Sequence, residues 1–248
     1  MGEPLPFGLI ADEYDRRRPA PPEDLVDDLE RLGGSTLDVG CGTGKAAVAL
    51  IERGLTVLGL EPDERMAAVA RSHGVPVEIG AFESWDDGGR RFDLLTFADS
   101  WHWVDPVGGV TRSAELLRPG GMVARFWNAH TVDPDVIETF DALYRRHAPE
   151  IPRVWEPGDG ALIRLVRTAD GEPFGQSGNF APVQTHMYRS ETVRTADDWV
   201  ATVATTSDHL RLGDRLGPLL TELHAAIEGL GGALRVRRST ILALSRRL

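Results

Sequence analysis

The run Leu37-Asp38-Val39-Gly40-Cys41-Gly42-Thr43-Gly44 limits what this chain can fold into more than any other feature. A short apolar strand ends beside an acid and meets three glycines at alternate positions. The run reads as a strand, a tight turn free of side chains, and the start of a helix. Glycine supplies backbone dihedrals and close approach that other residues cannot. A helix opening there presents unpaired N–H groups to a ligand. Taken alone, the run indicates a nucleotide-like cofactor.

Its spacing narrows the choice. Dinucleotide turns are written G-x-G-x-x-G and place a pyrophosphate on the helix terminus. Here the third glycine, Gly44, comes one position early. The carboxylate of Asp38 would oppose a nearby pyrophosphate and attract a cation. Glu61 ends the next apolar run, Thr56 to Leu60, 17 residues after Gly44, and is expected to accept hydrogen bonds from two ribose hydroxyls. A cofactor with one ribose, no phosphate and a cationic amino-acid end fits, and S-adenosylmethionine has those properties. Gly40 and Gly42 would line its methionine part. Asp38 would bind its ammonium.

Strands and helices alternate through the first half. Strands are predicted at 36–39, 56–60, 75–79, 92–97 and 122–127, and helices at 23–32, 45–53, 63–71 and 107–117. This alternation predicts a three-layer α/β fold with ligands at the C-terminal strand ends. Asp38, Glu61, Asp99 and Asn128 fall at such ends. A helix over 135–147 follows, with Ile137, Phe140 and Tyr144 on one apolar face. Beyond it, a short helix at 161–167, a strand at 181–188, helices at 195–210 and 216–230, and a strand at 239–244 are expected.

The 248 residues permit one substantial core, so a single domain spanning 1–248 is expected, with 129–190 inserted as a cap over the acceptor. No apolar stretch is long enough to cross a membrane, and the first residues lack the pattern of a secretory leader. Cys41 is the only cysteine, so no intrachain disulfide can form, and the default location is cytoplasmic. The formal charge of −11 disfavours nucleic acid as a partner. A homodimer stays open. No residue spacing suggests a metal site.

Tyr14-Asp15-Arg16-Arg17-Arg18-Pro19, the glycine run, Glu61-Pro62, Met66, Trp101-His102-Trp103-Val104-Asp105 and Leu116-Leu117-Arg118-Pro119-Gly120-Gly121 stand in a telling order. Together they resemble the class I S-adenosylmethionine-dependent methyltransferases, and within them the UbiE-like or type 11 methyltransferase domain. The resemblance implies a seven-stranded, mostly parallel, Rossmann-like sheet of order 3-2-1-4-5-7-6. It implies that Tyr14 and Arg18 fold toward the cofactor carboxylate, and that Ala81 and Phe82 contact the adenine. Many relatives carry Asp where this chain has Ala81. It also sets Trp101, His102 and Trp103 between cofactor and acceptor.

His102 is the leading general-base candidate, because imidazole titrates near neutrality; His130 is the second. Trp101, Trp103, Asn128, Ile137, Phe140 and Tyr144 are the expected acceptor contacts. The function expected is methyl transfer to a small organic acceptor, with a hydroxyl oxygen as receiving atom. A nicotinamide-dependent oxidoreductase and a non-catalytic cofactor-fold binding protein are the alternatives, and RNA methylation is disfavoured further.

Overall fold

The computed structural model describes residues 7–151 and 173–248. The helix expected at 161–167 lies outside them. Seven strands form one sheet of order β3-β2-β1-β4-β5-β7-β6, as the resemblance implied. They are β1 Ser35–Val39, β2 Thr56–Glu61, β3 Val77–Ile79, β4 Phe92–Ala98, β5 Leu117–Thr131, β6 Gln184–Thr195 and β7 Ala233–Arg246. The pairs β1·β2, β1·β4, β2·β3 and β4·β5 are parallel. The helices of four or more residues are α1 Ala11–Arg17, α2 Glu23–Glu30, α3 Lys45–Glu52, α4 Glu64–Ser72, α5 Pro106–Leu116, α6 Pro134–His147, α7 Pro173–Gln176, α8 Ala196–Val203, α9 Ser207–Leu210 and α10 Leu216–Gly229.

The chain divides into two compact units. The first comprises Met1–Arg18, Ala129–Ala161 and Arg189–Ser239, and the second Pro19–Asn128, Leu162–Tyr188 and Thr240–Leu248. The boundaries fall inside β5, β6 and near the middle of β7.

The second unit explains its own apolar runs. Strands covered on both faces need side chains without polar demands, and Leu37, Leu94, Leu95 and Phe97 are fully buried. Helix α3 adds Ala46, Ala47 and Leu50 to the same core. Asp63 starts α4 by accepting from the amides of Arg65 (2.8 Å) and Met66 (3.3 Å). Asp105 starts α5 in the same way, accepting from the Gly108 amide at 2.6 Å. Gly109 lies in α5 because Trp101 packs there: a Cβ would stand 2.9 Å from its ring and 2.4 Å from Val104.

The first unit has its own core. Val132, Phe140, Leu143, Trp199, Leu219, Leu223, Ile227, Leu234 and Val236 belong to one buried cluster.

Several elements depart from the sequence reading. The Pro119-Gly120-Gly121 turn signal does not precede β5 but lies within it. Pairing with β4 runs Phe92↔Leu117 and then Leu94↔Met122, so the extra residues form an irregularity in a longer strand. The helix expected at 195–210 is two helices. Thr195 caps α8 by accepting from the Asp198 amide (3.2 Å), while the Thr205 and Thr206 hydroxyls bond back to Thr202 and Val203 carbonyls where α8 stops. Strand β6 covers 184–195 rather than 181–188, and α1 was not foreseen.

Candidate active site

In the second unit the glycine turn is held by the carboxylates around it. Asp38 is fully buried in β1, and register sets Thr96 of β4 beside it. The Thr96 hydroxyl donates to Asp38 Oδ1 at 2.7 Å, whereas the buried Oδ2 has no hydrogen-bond partner. Burial pushes the Asp38 carboxyl up to about 7, against the pull of Thr96; the nearby Glu61 charge raises it further. Glu61, at the end of β2, is also buried and also raised, chiefly by desolvation. Its Oε2 accepts from the Gly42 amide (2.8 Å) and its Oε1 from the Asp63 amide (3.0 Å). It therefore ties β2 to the glycine turn, and each oxygen keeps a further lone pair for a ligand.

The turn itself needs glycine. Gly40 and Gly42 have φ of +64° and +56°. A Cβ on Gly40 would meet Ser100 Cβ at 2.8 Å, whereas on Gly42 the nearest atom would be Met66 Cε at 3.5 Å. Ser100 is drawn close because its hydroxyl donates to the Val39 carbonyl at 2.5 Å.

Asp99 follows β4 with φ +52°, the sole non-glycine residue in the left-handed region among those described. That conformation turns the chain sharply after the strand. The Asn128 side-chain amide donates to Asp99 Oδ2 at 2.8 Å, and the Thr240 hydroxyl donates to Asn128 Oδ1 at 2.7 Å. Ends of β4, β5 and β7 are thereby fixed to one another.

The aromatic segment after Asp99 divides. Trp101 is buried, edge-on to Phe97 (5.0 Å between centroids) and tilted against Phe174 (4.9 Å). Trp103 is 53% exposed, and its ring lies 4.7 Å from that of the exposed His102. Phe82 is buried with its ring edge-on to Phe97 at 5.4 Å, while Ala81 is exposed. Glu83, next in that loop, accepts from the Asp105 amide at 3.0 Å.

The remaining expected site residues belong to the first unit. Tyr14 and Arg18 are one turn apart on α1 and just beyond it, with the guanidinium 5.0 Å from the ring centroid. Arg18 donates to the Thr205 carbonyl at 3.2 Å, and its buried Nε has no partner. His130 is held neutral: burial first, then the charges of Arg238, Arg18 and Arg194, lower its pKa to about 4. Phe140 and Tyr144 are interior. Phe140 stacks beside Trp199 (5.8 Å), and the Tyr144 hydroxyl is 2.7 Å from His209 Nε2. Ile137 packs against the same cluster from its edge.

Sequence reasoning missed three functional neighbours. Thr96 and Ser100 carry no motif, and only the register reveals their partners. Arg125 did leave a signal, a lone cation in the apolar strand Met122 to Trp127. It is buried with its guanidinium 4.4 Å from the Phe174 ring centroid, 5.4 Å from Trp101 and 5.7 Å from Trp127. Among the described residues, no group of three or more acids, histidines or cysteines could hold a metal. None of their helices is long and apolar enough to cross a membrane.

The second unit's residues fit S-adenosylmethionine on three counts. The orphaned Asp38 oxygen offers a place for an ammonium, Glu61 faces the turn with spare acceptors, and two buried carboxylates of raised pKa favour a cation between them.

Comparison with known proteins agrees. Residues 36–121 match the family model described as a methyltransferase domain. An uncharacterised methyltransferase of Mycobacterium tuberculosis is 36% identical over 128 residues, covering 50% of this chain and 52% of that protein. A ubiquinone biosynthesis O-methyltransferase of Pseudomonas paraeruginosa is 36% identical over 107 residues, 40% of this chain and 46% of that one. The chain thus spans about half the length of the curated relatives it matches. A solved Anaeromyxobacter dehalogenans protein, provisionally named a type II methyltransferase, superposes with a TM-score of 0.68 at 23% identity, over 92% of this chain and 97% of that one. That likeness is one of fold.

Proposed function

With residues 36–121 belonging to the class I S-adenosylmethionine-dependent methyltransferases, we propose that the chain moves a methyl group from that cofactor to a hydroxyl oxygen of a small organic acceptor, releasing S-adenosylhomocysteine. The observation that carries this reading is the buried, unpartnered Asp38 Oδ2 beside the glycine turn. A dinucleotide pyrophosphate would put anion against anion there, which weighs against the oxidoreductase alternative.

The bound cofactor supplies an already electrophilic methyl group on a sulfonium. The residues have the simpler tasks of binding, aligning and keeping water out. Asp38 takes the ammonium, Glu61 the ribose hydroxyls, and the amides of Gly40 and Gly42 allow close approach. Tyr14 and Arg18 attend the cofactor carboxylate, and the Ala81-Phe82 loop offers backbone groups to the adenine. Asp99, held by Asn128, shapes the rim. His102, exposed beside Trp103, accepts the acceptor's proton. His130, held neutral, is the second candidate for that role. Buried Trp101, Phe140 and Tyr144 serve as scaffold, leaving Trp103, Asn128 and Ile137 for contact. The whole chain acts as one methyltransferase domain, with 129–190 as its acceptor-selecting insertion. An oxygen acceptor is in keeping with the name of the Pseudomonas relative, and a reducing cytoplasm with the single buried thiol.

Calorimetry with S-adenosylhomocysteine and with nicotinamide dinucleotides tests the reading. Micromolar or tighter binding of the first and none of the second is expected. The reverse result would overturn it.

A further inference from the structure

We infer that the first unit carries an oxyanion-binding site, formed by Arg18, Arg194 and Arg238 around His130, which receives a carboxylate or phosphate group of the ligand to be methylated. The identity of the ligand rests on the methyltransferase reading; the anion site itself does not.

The argument begins with strand parity. Segments of β5, β7 and β6 in this unit are neighbours in the order β5-β7-β6. Alternate residues along a strand share a face. Arg238 follows buried Val236 by two positions, and His130 precedes buried Val132 by two. Arg238 Nε donates to Ser190 Oγ at 3.3 Å, which puts Ser190 on the same side, and Arg194 follows it by four positions in β6. Arg18 approaches from the end of α1.

The opposite parity holds the acids. Arg237 pairs with Asp133 at 2.5 Å and with Glu191 at 3.5 Å, and Arg235 with Glu191 at 3.8 Å. Those arginines are already neutralised. On the His130 side, the charges that act on the imidazole are all cationic: Arg238, then Arg18 and Arg194. Asp15, one turn before Arg18 on α1, is a single carboxylate against three guanidinium groups. In a chain with 38 acidic and 27 basic residues, three cations gathered on a half-buried face run against the average. Their repulsion is relieved by an anion, and planar guanidinium forks match the geometry of carboxylate and phosphate. The buried Arg18 Nε, a donor without an acceptor, points to the same missing partner. The neutral imidazole adds a hydrogen bond without adding charge.

The test titrates the full chain with benzoate, with phenyl phosphate and with benzyl alcohol as the uncharged control. Each is followed by calorimetry, in parallel with S-adenosylhomocysteine. One of the two anions should bind and the alcohol should not; which anion binds tells carboxylate from phosphate. R194Q and R238Q should each weaken anion binding by about 10-fold or more, with S-adenosylhomocysteine binding unchanged and folding checked by circular dichroism. The lysine variants should recover part of the loss. Three results would overturn the site: neither anion binds the wild type, both glutamine variants bind it as before, or S-adenosylhomocysteine binding falls along with the anion. Wild-type protein that binds an anion but not S-adenosylhomocysteine would instead count against the methyltransferase reading.

Discussion

Cofactor binding should release a proton, and the source should be Asp38. Its carboxyl has been raised to about 7 by burial, so at pH 7 roughly half the unliganded molecules carry the proton there. An ammonium at Oδ2 favours the anion and expels it. From that value the release is about 0.9 proton at pH 6, 0.5 at pH 7 and 0.1 at pH 8. The cofactor's own amine, with a pKa near about 8, opposes this by taking up roughly 0.1 proton at pH 7 and 0.5 at pH 8. Net release at pH 6 and 7 should therefore turn into net uptake near pH 8. Affinity should fall by about tenfold for each pH unit below 7. The assay is titration calorimetry of S-adenosylhomocysteine in buffers of different ionisation enthalpy at each pH, on wild type and Asp38→Asn. Wild type should show the change of sign, and the variant should lose the release. No net proton exchange at pH 6 and 7, or the same release from Asp38→Asn, would refute the reasoning. The same shift has a stability sign. A carboxyl whose folded pKa lies above its ordinary value stabilises the unliganded fold at low pH, and that contribution fades as pH rises from about 4 to 7.

Glu61→Gln should weaken S-adenosylhomocysteine binding by roughly 10- to 150-fold, measured by calorimetry on folded protein; wild-type affinity would remove Glu61 from the site. Gly59→Ala should destabilise by about 1–3 kcal/mol in urea unfolding, because its Cβ would lie 2.7 Å from Cys41 Sγ. His209 is buried, between the Tyr144 hydroxyl and Thr206 Oγ1 (2.5 Å), with its pKa lowered to about 4. Since the unfolded imidazole binds protons more readily, the first unit should lose stability as pH falls from about 6.5 to 4, and His209→Gln should flatten that slope in thermal melts. Single-turnover methyl transfer by His102→Ala should be slower by about 10²–10⁴-fold if His102 is the base, and an unchanged pH profile would make it structural.

The parts legible in the sequence were those where one strand or helix carries its own instructions. The apolar runs of β1, β2 and β4 announce burial on both faces, and Gly40, Gly42 and Asp38 announce the turn. Asp63 and Asp105 mark helix starts by local capping. Less legible were features that depend on residues far apart. The orphaned oxygen of Asp38 follows from Thr96, 58 positions on, taking the other oxygen. The strand order came from resemblance rather than from periodicity. Pro119-Gly120-Gly121 misled because the same residues that end an element also permit an irregularity within one. The arginines around His130 come from four separate segments, so no window of sequence shows them together.

Cys41 gives the chain a built-in clock. The lone thiol is buried within the cofactor turn, against the position where Gly59 leaves room for sulfur, and burial pushes its pKa upward. A closed turn keeps it from alkylating reagents, so modification must wait for local opening. Labelling rates at rising reagent concentration then separate how often the turn opens from how long it stays open. S-adenosylhomocysteine should slow the reaction by holding Gly40 and Gly42 in place. With no other cysteine in the chain, every labelled molecule records an event at that one turn.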